Sequence, residues 1–102
     1  MTRPDLPRAV TDPDGRVVEF TEWSWEHILV ERPQLLEDVD AILAALKSPD
    51  LREPDPIPGR ERFYVKQVTD KVRWLRVVVD FEQEPALVVT AFVQRKDPTR
   101  QR

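Results

Sequence analysis

The 102-residue chain contains no cysteine, one histidine and only two glycines. The lack of cysteine excludes disulfides, thiolate zinc sites and a cysteine nucleophile. With glycine only at positions 15 and 59, the chain cannot form a Gly-rich phosphate loop. No set of His, Asp and Glu shows the spacing of metal ligands. The sequence therefore predicts neither a metal site nor a cofactor.

A long apolar run is also missing. The longest one, over residues 41–46, is too short to span a bilayer, and the first residues lack the apolar segment of a secretory signal. The length allows one domain with one modest core. We therefore predict a single-domain cytoplasmic protein without a membrane partner.

Charge is unevenly distributed along the chain, whose net charge is only -3. Residues 1–59 hold 6 Lys/Arg against 13 Asp/Glu, whereas residues 60–102 hold 10 against 6. A positive second part suits an anionic ligand that meets one side of the molecule. Ordinary solvation of a charged surface produces the same split, so both interpretations stay open.

Pro, Asp and Gly signals divide the chain into segments. Residues 1–15 are predicted to be a disordered tail, and 16–22 a short strand. A short helix then carries His27, and a second helix starts at Pro33 with an apolar stripe of Leu35, Leu36, Val39, Ile42, Leu43 and Leu46. An extended, proline-rich loop covers 48–59. The single domain is predicted over 16–95, followed by a basic tail over 96–102.

Three strands over 63–68, 73–81 and 86–95 each sort their side chains into two unlike faces. One set of alternate residues is apolar: Phe63, Val65, Leu75, Val77, Val79, Phe81, Leu87, Val89, Ala91 and Val93. The other set mixes cations and a hydroxyl with aromatics: Tyr64, Lys66, Trp74, Arg76, Val78, Thr90, Phe92 and Gln94. The expected fold is α+β: a short N-terminal strand and two helices pack on one face of an antiparallel sheet of three to four strands, and the other face is open.

The mixed face has the composition of a surface that binds single-stranded nucleic acid. Tyr64, Trp74 and Phe92 offer rings on which bases stack, while Lys66 and Arg76 meet phosphate. The alternative is that the aromatics pack under another element or a protein partner, with the cations lying on their rings. Sequence alone leaves these interpretations open.

Four pieces of the chain, in order, resemble the phage-type branch of the barnase/EndoU/colicin/RelE-like (BECR) nuclease superfamily. They are WEHILVERP at 25–33, LKSPD at 46–50, VVVDF at 77–81 and LVVTAF at 87–92. The match covers roughly residues 16–95. Each piece is short and degenerate, so the resemblance depends on their order.

The resemblance implies a metal-independent endoribonuclease of the toxin type, found in toxin-antitoxin and phage systems. Its reaction is attack of a ribose 2′-hydroxyl on the adjacent phosphodiester of RNA. Carried over by position, His27 is acid or base, Thr90, Lys66 and Arg76 hold the phosphate, and the aromatics hold bases. The implied partners are RNA and a cognate antitoxin or immunity protein. Many members have a second His where this chain has Arg32, which can supply charge but no proton transfer at neutral pH. A catalytically inactive interaction module, whose face binds a protein partner, is therefore the alternative.

Overall fold

The structure, a computed structural model, describes residues 5–31, 39–68 and 71–100. Within these ranges it contains six strands, two α-helices and a short 3-10 helix. In chain order they are β1 (Arg8–Thr11), β2 (Val17–Phe20), α1 (Glu22–Glu31), α2 (Val39–Lys47), β3 (Leu51–Pro54), β4 (Arg60–Val68), β5 (Val72–Asp80), β6 (Ala86–Gln94) and the 3-10 helix Pro98–Arg100.

The six strands form one mixed sheet in the order β1-β2-β6-β5-β4-β3. All neighbours pair antiparallel except β2 and β6, which run parallel through the pairs Val18↔Ala86 and Glu19↔Leu87. The predicted architecture of three to four antiparallel strands with helices on one face is therefore wrong. The sheet is larger, mixed and dominates the fold.

The two strands that the sequence analysis did not predict, β1 and β3, lie at the edges of the sheet. β1 falls within the predicted disordered tail, and β3 within the predicted proline-rich loop. Each has only four residues, too few for a clear alternation. Edge strands tolerate proline because one side of their backbone is unpaired, and Pro54 ends β3. Composition therefore favoured loops where the chain forms strands.

Asp12 orders the turn between β1 and β2. Its side chain is fully buried, and its Oδ1 accepts the backbone N–H groups of Asp14 at 3.0 Å and Arg16 at 2.8 Å. Gly15 adopts a φ of 84° in this turn, a conformation that glycine accepts at little cost. The buried carboxylate and the glycine together explain why a hairpin forms in a Pro- and Asp-rich segment.

The core combines both helices with alternate residues of the sheet. Its buried members are Val18, Phe20, Trp25, Ile28, Val39, Ile42, Leu43, Ala45, Leu46, Phe63, Leu75, Val77, Val79, Ala86, Val88 and Ala91. The Thr21 Oγ1 caps α1 by accepting the N–H of Ser24 at 3.3 Å. Ser24 Oγ in turn donates to the carbonyl of Val88 at 2.6 Å, which ties α1 to β6.

A β-bulge changes which residues of β6 face the core. Thr90 pairs with Val78, but the next pair is Val79↔Val88, so Val89 is an extra residue. One extra residue reverses the alternation of side chains beyond it. Val88 consequently joins the core cluster, whereas the predicted core residues Leu87 and Val89 do not. The predicted alternation of β4 and β5 is confirmed.

Two predicted boundaries, the start of the second helix and the start of the basic tail, are compared with the structure as follows. The predicted start of the second helix at Pro33 lies outside the described residues, and α2 is described from Val39. In the predicted basic tail, Pro98 is fully buried at the start of the 3-10 helix. No helix in the described ranges is long and apolar enough to cross a membrane.

Candidate nucleic-acid-binding face

The face of the sheet opposite the core is called here the Arg76 face. Direct cross-strand pairs place its residues on one side, because paired residues in an antiparallel ladder point the same way. The rows across the sheet are Glu53-Arg62-Val78-Thr90, Leu51-Tyr64-Arg76-Phe92, Lys66-Trp74-Gln94 and Val68-Val72. All the residues of the predicted mixed face thus share one surface.

Arg76 lies at the centre of this face, between two aromatic rings. Its guanidinium carbon is 5.3 Å from the ring centroid of Tyr64 and 4.6 Å from that of Phe92. Burial lowers the pKa of Arg76, although the nearby Tyr64 and Glu53 oppose this shift. No carboxylate among the described residues lies within 4 Å of Arg76, and its Nε is buried without a hydrogen-bond acceptor. This cation therefore retains an unused donor.

Thr90 carries a second unused polar atom on the same face. Its Oγ1 is buried and has no hydrogen-bond partner within the described part of the chain. Thr90 pairs with Val78, two residues beyond Arg76 on β5, so Thr90 and Arg76 are diagonal neighbours. Buried polar atoms without partners are uncommon and cost free energy. An N–H donor and a hydroxyl at diagonal positions, both without a partner among the described residues, have the chemistry that an oxyanion requires.

Glu53 and Arg62 complete the polar part of the face, and sequence reasoning missed both. Tyr64 donates its hydroxyl hydrogen to Glu53 Oε2 at 2.6 Å. Burial raises the pKa of Tyr64, and the bond to Glu53 raises it further. Arg62 lies 3.6 Å from Glu53 and donates to Asp55 at 2.8 Å. Alternation in 51–54 would have revealed Glu53 only if this segment had been recognised as a strand.

The aromatic side chains differ in their accessibility. Tyr64 is fully buried and Trp74 is 8% exposed. Phe92 is partly exposed, and Lys66 is exposed in the next row. In this arrangement only Phe92 of the three rings offers appreciable surface to a base. The predicted role of Tyr64 and Trp74 in stacking thus requires their neighbours to move.

His27 does not lie with the other predicted site residues. It stacks on Trp23, with ring centroids 5.0 Å apart and planes 9° from parallel. Helix α1 packs into the core through Trp25 and Ile28, so the sheet separates His27 from Arg76. Arg32, also predicted to contact substrate, lies outside the described residues.

A groove near the β5–β6 turn also contains a cation. It has a volume of about 710 Å³ and is lined by Arg16, Val17, Phe81, Gln83, Glu84, Pro85 and Ala86. Arg16 donates to Glu61 at 2.7 Å and to Asp12 at 2.8 Å, and the bond to Glu61 holds the pKa of Arg16 above its ordinary value. Because these carboxylates already neutralise it, Arg16 is a poorer anion site than Arg76.

Within the described ranges, no three His, Asp or Glu side chains come together as metal ligands. Comparisons of the chain with protein-family models, curated proteins and solved structures give no match. The resemblance to the BECR superfamily therefore stays a prediction. Function is inferred from the chemistry of the Arg76 face.

Proposed function

We propose that the Arg76 face binds single-stranded RNA, with one backbone phosphate held by Arg76 and Thr90. The observation that carries this proposal is the pair of unused polar atoms, Arg76 Nε and Thr90 Oγ1. A phosphate oxygen accepts from both groups and removes the cost of leaving them unpaired. Phe92, which packs on Arg76, would contact the adjoining base.

Exposed cations at one end of the sheet, of which Lys66 lies on the Arg76 face, favour a polyanion over a single small anion. Lys66 lies on the Arg76 face, and Arg73, Arg95 and Lys96 are exposed at the end of the sheet where Gln94 pairs with Trp74. None of these four has a carboxylate within 4 Å among the described residues. Successive phosphates of one strand suit such a distributed charge.

Cleavage of the bound strand is the reaction that the resemblance adds to the proposal. Attack by a 2′-hydroxyl needs a group that takes its proton. On the Arg76 face that group is Glu53, a carboxylate positioned by the hydroxyl of Tyr64. Glu53 would take the 2′-hydroxyl proton as the new O–P bond forms, and Arg76 would stabilise the charge of the transition state. The departing 5′-oxygen would take a proton from water.

Binding is tested by fluorescence anisotropy with labelled polyuridylate over a range of salt concentrations. Because phosphate contacts release counterions, affinity should fall steeply with salt. Arg76→Gln should reduce the salt slope by about one phosphate contact. Lys47→Gln is the matched control, since it removes one exposed positive charge on α2 and should leave the slope unchanged.

Thr90→Val tests the contribution of the hydroxyl to RNA binding without disturbing the fold, because it replaces the hydroxyl with a methyl group of similar size. We expect weaker RNA binding with no loss of stability. A salt-independent association, or equal effects of Arg76→Gln and Lys47→Gln, would rule out the phosphate site.

Cleavage is tested separately with an RNA and with the same strand carrying one 2′-deoxy position. Products should form in the presence of chelator, and the cut at the modified position should disappear. Glu53→Gln should then lower the rate by about 10² to 10⁴, the usual effect of losing a general base. Intact RNA after long incubation, together with normal binding, would leave the protein as an RNA-binding module without the reaction.

A further inference from the structure

Two ion pairs tie the β1–β2 turn to the opposite edge of the sheet. Arg52 on β3 donates to both carboxylate oxygens of Asp14, at 2.8 Å and 3.3 Å. Arg16 donates to both oxygens of Glu61 on β4, at 2.7 Å and 3.1 Å. The strand order places β6 and β5 between β2 and β4, so these side chains reach across two strands. We call Asp14, Arg16, Arg52 and Glu61 the clasp.

The clasp lies on the side of the sheet that carries the core. The guanidinium carbon of Arg52 is 5.9 Å from the ring centroid of Phe63, a core residue that pairs with Arg52 across the β3–β4 ladder. Glu53 is the next residue along β3, and successive side chains of a strand point to opposite faces. Arg52 and Glu53 are therefore neighbours along the chain, with one in the clasp and the other on the Arg76 face.

The hydrogen bond between Tyr64 and Glu53 depends on the position of β3 beside β4. Glu53 pairs with Arg62, whereas Tyr64 lies two residues further along β4 and pairs with Leu51, so the bond of 2.6 Å is diagonal. β3 has only four residues and lies at the edge of the described sheet, where local opening costs little free energy. An anchor on β3 next to Glu53 would keep this diagonal bond formed.

We infer that Asp14 and Arg52 are positioning residues, whose ion pair holds β3 so that Glu53 stays against Tyr64. This role rests on the proposed function, in which Glu53 takes the 2′-hydroxyl proton, and it identifies the part of the chain that keeps the carboxylate in place. A bidentate pair within a network of charges is the kind of surface ion pair that contributes to stability. The β1–β2 hairpin at one edge of the sheet would thereby support a site residue at the other edge.

Tyr64 reports on the position of Glu53, because it is the only tyrosine of the chain. Burial raises the pKa of Tyr64, and the bond to Glu53 raises it further. A spectrophotometric titration of the phenol therefore measures whether the bond is formed. Glu53→Gln, which removes the charged acceptor, should lower the pKa of Tyr64 and gives the reference shift. Arg52→Gln and Asp14→Asn should each lower it as well, by a smaller amount.

The signs of these shifts separate positioning from a simple effect of charge. Removing the positive charge of Arg52 by itself disfavours the phenolate and would raise the pKa of Tyr64. Removing the negative charge of Asp14 by itself would lower that pKa. Lower pKa values in both variants therefore support positioning, whereas shifts of opposite sign, or no shift in either variant, would overturn it.

Two further variants complete the titration. Arg52→Lys keeps the charges of the pair, so the pKa of Tyr64 should stay close to that of the unaltered chain. Arg8→Gln is the matched control, because it removes an ion pair of Arg8 with Asp40 at 2.8 Å that lies outside the clasp. It should leave the titration of Tyr64 unchanged. A shift in Arg8→Gln as large as that in Arg52→Gln would overturn the role of the clasp.

Hydrogen exchange measures the same effect at neutral pH. The amides of β3 should exchange about threefold faster in Arg52→Gln than in the unaltered chain, as expected for the loss of one surface ion pair that holds an edge strand. The amides of β5, in the middle of the sheet, should exchange at an unchanged rate. Equal exchange of the β3 amides in Arg52→Gln and Arg8→Gln would overturn the inferred anchor.

RNA cleavage and RNA binding distinguish this role from the proposed function. Arg52→Gln should lower the cleavage rate by about tenfold, because a small displacement of a general base is costly. Its affinity for polyuridylate should change by less than about twofold, since Arg52 lies on the other side of the sheet from Arg76. Unchanged cleavage in Arg52→Gln would overturn the positioning role. Intact RNA with the unaltered chain would instead overturn the proposed reaction, and the titration of Tyr64 would then decide whether the clasp holds Glu53.

Discussion

The hydroxyl of Tyr64 donates a hydrogen bond of 2.6 Å to the carboxylate of Glu53 on the neighbouring strand. This bond joins the edge strand β3 to the centre of the Arg76 face. A residue that the sequence predicts as a base-stacking ring is therefore also a polar anchor. Its phenol holds a carboxylate, while its ring supports the guanidinium of Arg76.

Tyr64→Phe tests the energetic role of that bond. Removing the hydroxyl leaves a largely buried carboxylate without its shortest described donor, so the free energy of unfolding should fall by about 2 kcal/mol. Urea denaturation measures this change. In the background of Glu53→Gln the same substitution should cost less, because the charged acceptor is gone. Additive effects in the double-mutant cycle would show that the two groups do not interact.

Thr90→Val should leave the protein as stable as before or more stable, by up to about 1 kcal/mol. The reason is that the Thr90 hydroxyl is buried without a partner among residues 5–31, 39–68 and 71–100, and a methyl group does not need one. The reverse change at the neighbouring pair position, Val78→Thr, adds a hydroxyl at a residue that is 5% exposed and should destabilise. A clear loss of stability in Thr90→Val would mean that the hydroxyl already has a partner.

His27→Ala should change the affinity for polyuridylate by less than about twofold. The sheet lies between this residue and Arg76, so its imidazole contributes no contact to a phosphate there. Anisotropy titrations of His27→Ala and Arg76→Gln, run together, provide the comparison. A tenfold loss in His27→Ala with an unchanged thermal transition would place RNA on the helical side of the molecule.

Asp12→Asn should lower the free energy of unfolding by about 2 kcal/mol, because Asn keeps an oxygen for the turn but loses the charge that pairs with the partly exposed Arg16. Asp12 is fully buried and accepts from the Arg16 side chain as well as from the turn backbone. Urea denaturation gives the magnitude. Asp5→Asn, at an exposed residue near the same end of the chain, should have little effect. If both variants behave alike, the β1–β2 turn contributes little to stability.

Stability should fall in acid as two ion-paired carboxylates become protonated. The hydrogen bond from Arg52 lowers the pKa of Asp14 below its ordinary value of 3.8. Burial of Asp55 favours its neutral form, but bonds from Arg62 and the Ile57 N–H outweigh burial and lower its pKa as well. A lowered pKa gives stability that is present above the ordinary value and lost as the pH falls through the folded-state value.

The measurement is urea denaturation between about pH 5 and about pH 2. Asp14→Asn/Asp55→Asn should start less stable and lose less stability over this range than the unaltered chain. A parallel decline of both proteins would assign the acid sensitivity to other groups. Because the Asp14 side chain is 53% exposed, solvent screening keeps its part of the difference small.

The middle of the sheet could be predicted from the sequence because β4 and β5 are long enough to show alternation. Phe63, Leu75 and Val77 face the core, as their spacing indicates. β1 and β3 could not be predicted, since four residues hold too little pattern and their pairing depends on tertiary contacts. The bulge at Val89 is likewise invisible to a rule that counts every second residue.

The candidate site was predictable only where it lies on those long strands. Arg76, Thr90 and Phe92 fall on one face by alternation alone. Glu53 was missed because its strand was missed, and His27 was assigned by resemblance without knowledge of which side α1 covers. Helix periodicity identifies a buried stripe but does not state which face of a sheet that stripe meets.

The position of β6 affects how the chain folds during its synthesis. β6 is the last strand along the chain, yet it lies between β2 and β5. During synthesis, the N-terminal hairpin β1–β2 therefore has no neighbouring strand to join until Gln94 has left the ribosome. The complete sheet therefore forms only after nearly the whole chain has emerged. Until then Val18 and Phe20 lack their core contacts with β6. A chain that stops before β6 would contain the pair β1–β2 and the three strands β3, β4 and β5, without the strand that joins them.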